Sequence, residues 1–519
     1  MAGIAAVSLT ACTANYLDYN TEPGTATSDD MKRDGYIVSS ALSGIMGWVI
    51  PTDVNTNQFT ETLVGGPYGG YIAESNSGFT NNFSCFNQNE GWNRVLYKDI
   101  IPKIFSNIQQ LYGVTEDPIY FAIAKIVKVA GISRVTDAYG PIPYTQIGAE
   151  GKLTAPLDPQ KTVYQAMINE LDEAIEVLLP NRTSSFSANA DKVFGGSIAK
   201  WIKLANSYKL RLGMRTVYAD AAFAKATVES ALDPAKGGVM ESNADNAFLQ
   251  VAKNPFRVIC YEYNGGDARM AADIVAYMNG YKDPRRGFMM TQTTFTDEGV
   301  ENGFAGIRIG GVNPDKAIDN EHLHGYSNII VEVNTKLMWM VAAEVEFLKA
   351  EAALRGWSVG ESAESCYNKG IKLSFEQWGA GDAAKYIADD QSLPELYKDP
   401  LGKFSYNGAQ PQCKIKYDAS ADFETNLERI ITQKWIANFP NGNEAWAEFR
   451  RTGYPKLMVT AKNANASQVP AGEFARRLFY PQDEYLDNGP NVKAAISDLN
   501  PQVDLMSSRV WWDCNPNTK

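Results

Sequence analysis

The chain has 519 residues, of which 45% are hydrophobic, and it carries a formal net charge of -12. This length is sufficient for a large hydrophobic core, whereas an acidic chain without a long basic run is poorly suited to nucleic-acid phosphates. The two histidines, His322 and His324, and six cysteines without a CxxC spacing argue against most zinc sites and against histidine-dependent nucleophilic catalysis. The two histidines could chelate a metal from one face of a strand, but without further ligands nearby a polar loop is favoured.

The N-terminus has the pattern of a processing signal. Residues 3–11 form an apolar run that is too short to span a bilayer but suits a secretory signal. The sequence Leu9-Thr10-Ala11-Cys12 resembles a bacterial lipobox, which predicts lipidation of Cys12. We expect residues 1–11 to be a signal remnant and residues 12–30, rich in Thr, Asn, Ser and Asp, to be a tether. No basic residue precedes Lys32, so a chance apolar N-terminus is the alternative.

Helical periodicity dominates the rest of the chain. Apolar residues recur near a spacing of 3.6 in residues 91–111, 117–137 and 162–178, which predicts amphipathic helices. Residues 336–378 read as a helix pair whose small and large residues alternate as in tetratricopeptide repeats, and such pairs must stack to bury their faces. The predicted helical scaffold covers about 35–50, 91–235, 336–380 and 425–455.

Two regions do not show this periodicity. Residues 51–90 and about 237–335 are rich in Gly, Asn, Thr, Asp and aromatic residues. Long irregular insertions in a packed domain are usually functional or disordered, and their aromatic content argues against disorder. We therefore predict one domain over residues 31–519, mainly α, in which these insertions carry the ligand site.

A set of short motifs is spread along the chain. The motifs are, in chain order, Arg134–Tyr144, Asp283-Pro284-Arg285, Ala350–Gly356, Gln433-Lys434-Trp435, Arg450–Pro455 and Arg476–Pro481. This set resembles one known family, the SusD/RagB outer-membrane lipoproteins. The resemblance implies about four tetratricopeptide-like helix pairs and an irregular, loop-rich subdomain that binds ligand. It also implies a non-catalytic lipoprotein at the outer-membrane surface that delivers nutrient glycans, or in some members peptides, to a SusC-type TonB-dependent transporter. We expect Trp446, Arg451 and Tyr454 to lock helices together rather than to contact ligand.

The resemblance also implies where a glycan would bind, because its aromatic and amide residues come from the two insertions. A sugar needs flat aromatic surfaces for its CH faces and planar polar groups for its hydroxyls, but no acid–base pair. The candidates are Trp92, Tyr71, Tyr68, Asn87 and Asn93 from the first region, and Tyr263, Asn264, Asp267 and Arg285 from the second. Trp92 is the first choice, with a buried helix-start residue as its alternative. Arg285 has a structural role as its alternative.

Other functions remain open at this point. A glycoside hydrolase would need paired carboxylates, and Glu74, Glu90 and Asp267 lie in no recognisable catalytic motif. A peptide-binding member of the same family and a pure interaction scaffold are further alternatives. We expect no cofactor and no metal site. Calcium near Asn313–Asn320 is conceivable, but the spacing is not that of an EF-hand.

Overall fold

Helices account for most of the regular structure in this computed structural model, which describes residues 35–148, 154–296, 300, 303–312 and 318–518. The predicted lipidation site, Cys12, its tether and most of the Asn313–Asn320 segment lie outside these residues. The helices of nine or more residues are α1 Tyr36–Met46, α2 Ile100–Tyr112, α3 Pro118–Tyr139, α4 Gln160–Leu178, α5 Ile198–Arg215, α6 Ala221–Ala231, α7 Ala272–Gly280, α8 Ala342–Leu354, α9 Ala363–Trp378, α10 Phe423–Ala437, α11 Gly442–Thr452 and α12 Gln482–Ala495.

Shorter helical segments connect these helices. Two have π-helical hydrogen bonding, Gln58–Gly65 and Val258–Glu262. Single α-turns are Val54–Asn57, Gly66–Tyr68, Glu90–Asn93, Val95–Lys98, Pro255–Arg257, Arg286–Met289, Asn320–Leu323 and Ala384–Ile387. Turns of 3-10 helix are Phe83–Cys85, Leu179–Asn181, Pro234–Lys236, Asn243–Asp245, Tyr263–Gly265 and Ile496–Asp498. Most of the short segments lie in the two irregular regions that the sequence indicated.

Local sequence explains where the long helices begin and end. The Asp117 carboxylate accepts the Ile119 N–H at 2.9 Å and Pro118 occupies the first turn of α3, as is typical of a helix start. Gly140 ends α3 with φ 89°, a backbone conformation that glycine adopts without steric cost. The helix predicted over 117–137 is therefore observed within two residues of its expected bounds.

The long helices pack in pairs. Neighbours in sequence pack together (α3 with α4, α5 with α6, α8 with α9), and α8 also packs against α5 and α10. A Cβ added at Gly370 of α9 would lie 2.8 Å from the Phe347 ring of α8, and one at Gly131 of α3 would lie 2.4 Å from Ile104 of α2. At both positions the helices approach closely because glycine has no side chain, which confirms the predicted helix-pair architecture of small residues facing large ones.

Four short strands form two small antiparallel sheets among the described residues. The strands are β1 Ile72–Glu74, β2 Ala247–Leu249, β3 Ala268–Met270 and β4 Leu337–Met340. In one sheet β1 pairs with β3, with Ile72 opposite Met270, and in the other β2 pairs with β4. The β1–β3 pair joins the two irregular regions, because each strand comes from one of them.

Buried ion pairs hold the scaffold helices together. We call the group Arg211, Arg215, Glu344, Glu351, Lys434, Glu444, Glu448 and Arg451 the charged seam; all eight residues are buried. Arg211 of α5 binds Glu344 of α8 at 2.6 Å, Arg215 of α5 binds Glu444 of α11 at 2.6 Å, and Arg451 of α11 binds Glu351 of α8 at 2.6 Å. The seam therefore links α5, α8 and α11, which are distant in sequence, and Lys434 adds α10 by binding Glu448 at 3.1 Å.

The C-terminal motif belongs to this interior. Trp446 is 1% exposed and its indole N–H donates to the Ala475 carbonyl at 2.8 Å, while the Arg450 guanidinium lies 3.8 Å from the centre of its ring. Tyr454 donates to the Glu424 carboxylate at 3.0 Å. The expectation that Trp446, Arg451 and Tyr454 lock helices together is confirmed.

Candidate functional site

Trp92 lies half-buried in the single turn Glu90–Asn93, at the end of the first irregular region. The Asn89 side chain begins this turn by accepting the Trp92 backbone N–H at 3.0 Å. The indole packs against Phe59 with ring centres 5.1 Å apart and meets the edge of Phe79 at 5.4 Å. Phe59, Phe79 and Trp92 are all half-buried; we call them the aromatic patch.

Asp267 organises a group of amides beside this patch. It is 2% exposed, and its two carboxylate oxygens accept the side-chain N–H groups of Gln58 at 2.8 Å, Asn76 at 2.7 Å and Asn264 at 2.9 Å. We call these four residues the amide cluster. The three amides are held in fixed orientations, and Asn264 is exposed to solvent.

The aromatic patch and the amide cluster lie side by side, because residues of one are close in sequence to residues of the other. Gln58 of the cluster precedes Phe59 of the patch in the π-helix Gln58–Gly65. Asn76 of the cluster accepts the backbone N–H of Phe79 on its carbonyl at 3.2 Å. The β1–β3 pairing brings Asp267 to this loop, where its carbonyl accepts the Ser75 N–H at 2.8 Å. Residues about 200 positions apart thus form one surface.

Further polar side chains border this surface. The Tyr263 hydroxyl donates to Asn55 at 3.3 Å, and the Ser77 hydroxyl donates to Asn320 at 2.8 Å. His324 makes a ring-nitrogen contact of 3.1 Å with the Gly266 carbonyl. Burial first, and then the Arg269 charge, lower the pKa of His324, so its imidazole is neutral at physiological pH. The border therefore offers hydroxyl, amide and imidazole groups.

Four predicted site residues lie in the interior instead. Tyr71 is fully buried, bonded to the Trp435 carbonyl. Tyr68 is 8% exposed, and its hydroxyl donates to the Phe83 carbonyl at 2.9 Å. Asn93 is also fully buried, donating to Phe479 at 2.9 Å. Their polar atoms are used by the scaffold, because aromatic and amide residues stabilise an interior as well as a binding surface.

Arg285 is the fourth of these, and it is also fully buried. Its guanidinium donates to the Asp283 carboxylate at 2.6 Å, to the Ser374 hydroxyl at 2.9 Å and to Gln433 at 3.1 Å. The Asp-Pro-Arg motif thus attaches the second irregular region to α9 and α10. This is the structural role that the sequence analysis gave as the alternative for Arg285.

Asp267 is also buried, at 2% exposed, whereas the remaining predicted residues, Trp92, Asn87, Tyr263 and Asn264, lie at or near the surface. Asn87 is half-buried and its side-chain oxygen accepts the Asn82 N–H at 3.1 Å, which shapes the loop that leads to Trp92. Gln58, Phe59 and Asn76 were not singled out by the sequence. Their region is so rich in amides and aromatics that no local signal distinguishes these three from their neighbours.

The carboxylates near this surface are poorly arranged for acid–base chemistry. Both oxygens of Asp267 are occupied by amides, and Glu74 is 1% exposed, with a pKa that burial raises. Burial also raises the pKa of Glu90, and its carboxylate accepts the Gln482 N–H at 2.6 Å. The Glu74 carboxylate accepts the Ser84 N–H at 3.4 Å, so each of the three carboxyl groups has a structural hydrogen-bonding role.

Among the described residues, the one trio with the spacing of metal ligands is Glu346, Glu361 and Cys366. Lys349 binds Glu346 at 3.1 Å and Glu361 at 2.7 Å, so lysine already supplies the positive charge. Neither histidine belongs to this trio. Within the described part of the chain, no helix combines the length and apolar character needed to cross a membrane.

Comparison with known proteins places the chain in a family. Residues 18–513 match the SusD-like family model, described as SusD and RagB outer membrane lipoprotein. Among solved structures, a SusD homolog from Bacteroides uniformis is 44% identical, with a TM-score of 0.88 over 92% of this chain and 99% of the other. A chitin-binding SusD homolog from Flavobacterium johnsoniae is 32% identical, with a TM-score of 0.85 over 92% of this chain and 99% of the other.

A third solved structure, a SusD homolog from Bacteroides ovatus, is 35% identical, with a TM-score of 0.86 over 93% of this chain and 100% of the other. No curated protein sequence matches the chain significantly. Since the family model covers nearly the whole chain and the solved relatives share its fold over nearly their whole length, the protein belongs to the SusD-like family of SusD and RagB outer-membrane lipoproteins.

Proposed function

We propose that this protein is a lipid-anchored, cell-surface binding protein that captures oligo- or polysaccharide on the aromatic patch and the amide cluster. The observation that carries the proposal is the position of Trp92, a half-buried indole within 5.4 Å of two further half-buried rings and next to fixed amides. The family membership and the chitin-binding relative support a glycan as the ligand class.

The two halves of the surface match the two kinds of group on a sugar. The aromatic rings offer flat apolar area to the CH face of a pyranose ring. In the amide cluster Gln58, Asn76 and Asp267 are buried, and the exposed Asn264 offers a neutral amide to its hydroxyls. Because Asp267 already orients Asn264, this amide loses little conformational freedom on binding, which favours affinity.

We also propose that the protein releases the glycan unchanged to a SusC-type TonB-dependent transporter. The carboxylates around the surface are bonded to amides or to backbone N–H groups, whereas a glycosidase needs two carboxyl groups flanking the scissile bond. Lipidation at Cys12 and attachment to the outer membrane complete this proposal. They rest on the lipobox-like sequence and on the family description.

A peptide ligand is the alternative within the same family. Peptide capture by strand addition needs an exposed strand edge, but all three residues of β1 and all three of β3 are buried. The observed surface therefore favours sugar stacking over backbone pairing.

Affinity gel electrophoresis with a panel of polysaccharides, including soluble chitin, tests the proposal. We expect retardation of the wild-type chain by at least one glycan and at least a tenfold loss of affinity in Trp92→Ala, as for aromatic residues that anchor other binding interfaces. Trp357→Ala is the matched control, because Trp357 is also half-buried but lies in the turn between α8 and α9.

Unchanged affinity in Trp92→Ala, or binding of peptides with no binding of any glycan, would contradict the proposed function. The same incubations are assayed for new reducing ends, and we expect none. Glycan cleavage by the wild-type chain would overturn the non-catalytic part alone.

A further inference from the structure

Residues 263–266 form a tightly constrained turn at the edge of the glycan surface. Asn264, Gly265 and Gly266 all have positive φ, of 52°, 78° and 122°, in a backbone region that favours glycine and that asparagine also adopts. The Gly266 N–H donates to the Tyr263 carbonyl at 2.6 Å. A Cβ at Gly265 would lie 2.9 Å from the His324 ring, so the imidazole packs directly against the turn.

Asp267 determines which atom of Asn264 is available to a ligand. The Asn264 side-chain N–H donates to the Asp267 carboxylate at 2.9 Å. Because a carboxylate accepts hydrogen bonds and does not donate them, the amide nitrogen faces Asp267 and the amide oxygen faces away. This oxygen accepts no hydrogen bond from the described residues, and Asn264 is exposed. Asn264 therefore offers a ligand an acceptor.

A backbone carbonyl fixes the tautomer of His324 in the same way. Nε2 lies 3.1 Å from the Gly266 carbonyl oxygen, which only accepts, so Nε2 carries the proton of the neutral ring. Nδ1 is then an unprotonated acceptor. It has no hydrogen-bond partner among the described residues, and it is not one of their unpaired polar atoms that are closed to solvent. The half-buried imidazole thus adds a second acceptor beside Asn264.

The cations near the turn are occupied by other partners. Arg269 is 6% exposed, and its guanidinium donates to the backbone carbonyls of Cys260, Gly265 and Ala268. Arg94 pairs with Asp483 at 2.7 Å, and Lys253 pairs with Glu262 at 2.8 Å. Burial and the Arg269 charge lower the pKa of His324, which the Asp267 charge opposes. The imidazole therefore remains a neutral acceptor at pH 7.

We propose that the glycan surface selects neutral or amino sugars and rejects anionic ones, and that His324 sets this selectivity through Nδ1. The inference rests on the proposed function and narrows its ligand class. Hydroxyl and amino groups can donate to Asn264 Oδ1 and His324 Nδ1. A carboxylate or sulfate group has only lone pairs to offer these two acceptors, and it also meets the negative charge of Asp267, 2.9 Å from the Asn264 amide. An unpaired anion is costly to desolvate.

Affinity gels with matched polysaccharides test the selectivity. Hydroxyethyl cellulose, dextran and glycol chitin are each compared with a sulfated derivative at pH 7.5, because sulfate does not titrate in the range used. We expect the wild-type chain to bind the sulfated form of any neutral glycan that it recognises at least about tenfold more weakly. Equal or tighter binding of the sulfated form overturns the selectivity and leaves the proposed function in place. Binding of none of these polysaccharides overturns both.

The pH dependence of this preference reports on His324. Protonation converts Nδ1 into a donor and adds a positive charge, so we expect the preference for the neutral glycan to narrow about threefold from pH 7.5 to pH 5.0. His324→Gln keeps a donor for the Gly266 carbonyl and an acceptor but cannot titrate, so its preference is expected to be equal at both pH values. A constant preference in the wild-type chain, or narrowing retained in His324→Gln, would refute the role of His324.

His322 provides the matched control, because the chain has two histidines. His322 pairs with Asp319 at 2.6 Å, and it is exposed, as is Glu321 beside it. We expect His322→Gln to show the same narrowing as the wild-type chain. Loss of the narrowing in His322→Gln would assign the pH dependence to the other histidine and contradict the proposal.

Asn264→Gly tests the second acceptor without depending on the fold of the His324 variant. Glycine adopts a φ of 52° without strain, so thermal unfolding near the wild-type temperature is expected. We expect affinity for the neutral glycan to fall about three- to tenfold and the preference over the sulfated form to narrow. Asn181→Gly, at an exposed position in the scaffold turn Leu179–Asn181, is expected to change neither. Wild-type preference in the folded Asn264→Gly variant would refute the acceptor role of Asn264.

Discussion

The charged seam and the amide cluster both bury carboxylates, but they neutralise them in different ways. Burial alone would raise the pKa of Glu448, yet the charges of Arg451, Lys434 and Arg215 outweigh burial and hold its pKa well below the usual range. Asp267 instead accepts three neutral amides. Arginine forks fix helices against one another, whereas the carboxylate of Asp267 holds neutral amides in place, of which Asn264 is exposed to a partner.

This contrast predicts that removing a charged side chain lowers the free energy of unfolding strongly in the charged seam and only weakly at the protein surface. Arg451→Met leaves Glu351 and Glu448 without a bidentate partner, and breaking a buried pair costs about 3–5 kcal/mol. Arg94→Met removes an ion pair to Asp483 whose length, 2.7 Å, is close to the 2.6 Å between Arg451 and Glu351. Both side chains of the Arg94 pair are more than a third exposed, and such pairs contribute at most about 1 kcal/mol. Urea unfolding of both variants measures the difference, and equal losses would refute it.

Asp273 sharpens the comparison, because it is a buried carboxylate with neither a seam cation nor an amide set. One of its oxygens accepts the Met458 N–H at 2.7 Å, and the other has no hydrogen-bond partner in the part of the chain that the structure describes. Burial, partly offset by Met458 and Arg308, raises the pKa of Asp273 to about 7. Since the folded state holds this proton more tightly than the unfolded state, its contribution to stability falls as pH rises toward 7.

We therefore expect the wild-type chain to lose about 2–3 kcal/mol of stability between pH 5 and pH 8 through this one group. Asp273→Asn keeps the oxygen that accepts Met458 and cannot ionise, so this part of the pH dependence should be absent. Urea unfolding at both pH values measures it. Parallel pH profiles for the two proteins would show that Asp273 is ionised in the folded state throughout.

Two tyrosines that the sequence analysis predicted as ligand contacts, Tyr71 and Tyr263, give the smallest expected effects. Tyr71→Phe removes a buried hydrogen bond to Trp435, and we expect a stability loss of about 1 kcal/mol with unchanged glycan affinity. Tyr263→Phe removes a hydroxyl at the edge of the surface, and we expect a two- to fivefold loss of affinity with little change in stability. Affinity gels and urea unfolding report the two quantities, and the opposite pattern would place the ligand elsewhere.

Local pattern was enough to predict the class of fold. Helical periodicity and the Asp117 and Gly140 end signals belong to neighbouring residues, so α3 could be placed nearly to its observed bounds of Pro118–Tyr139. The motif order identified the family, and the aromatic loop that ends at Trp92 was recognisable because large aromatic residues are uncommon in irregular, polar segments.

Tertiary structure alone decided which side chains remain at the surface. Tyr71 and Tyr263 are the same residue type in similarly irregular regions, and only packing buries the first beneath Trp435 and leaves the second half-exposed. Gln58 and Asn76 reach Asp267 across 209 and 191 residues, through a strand pairing that no local pattern encodes. Periodicity records which face of a segment is buried, but a binding surface depends on distant segments meeting, which only the packed chain determines.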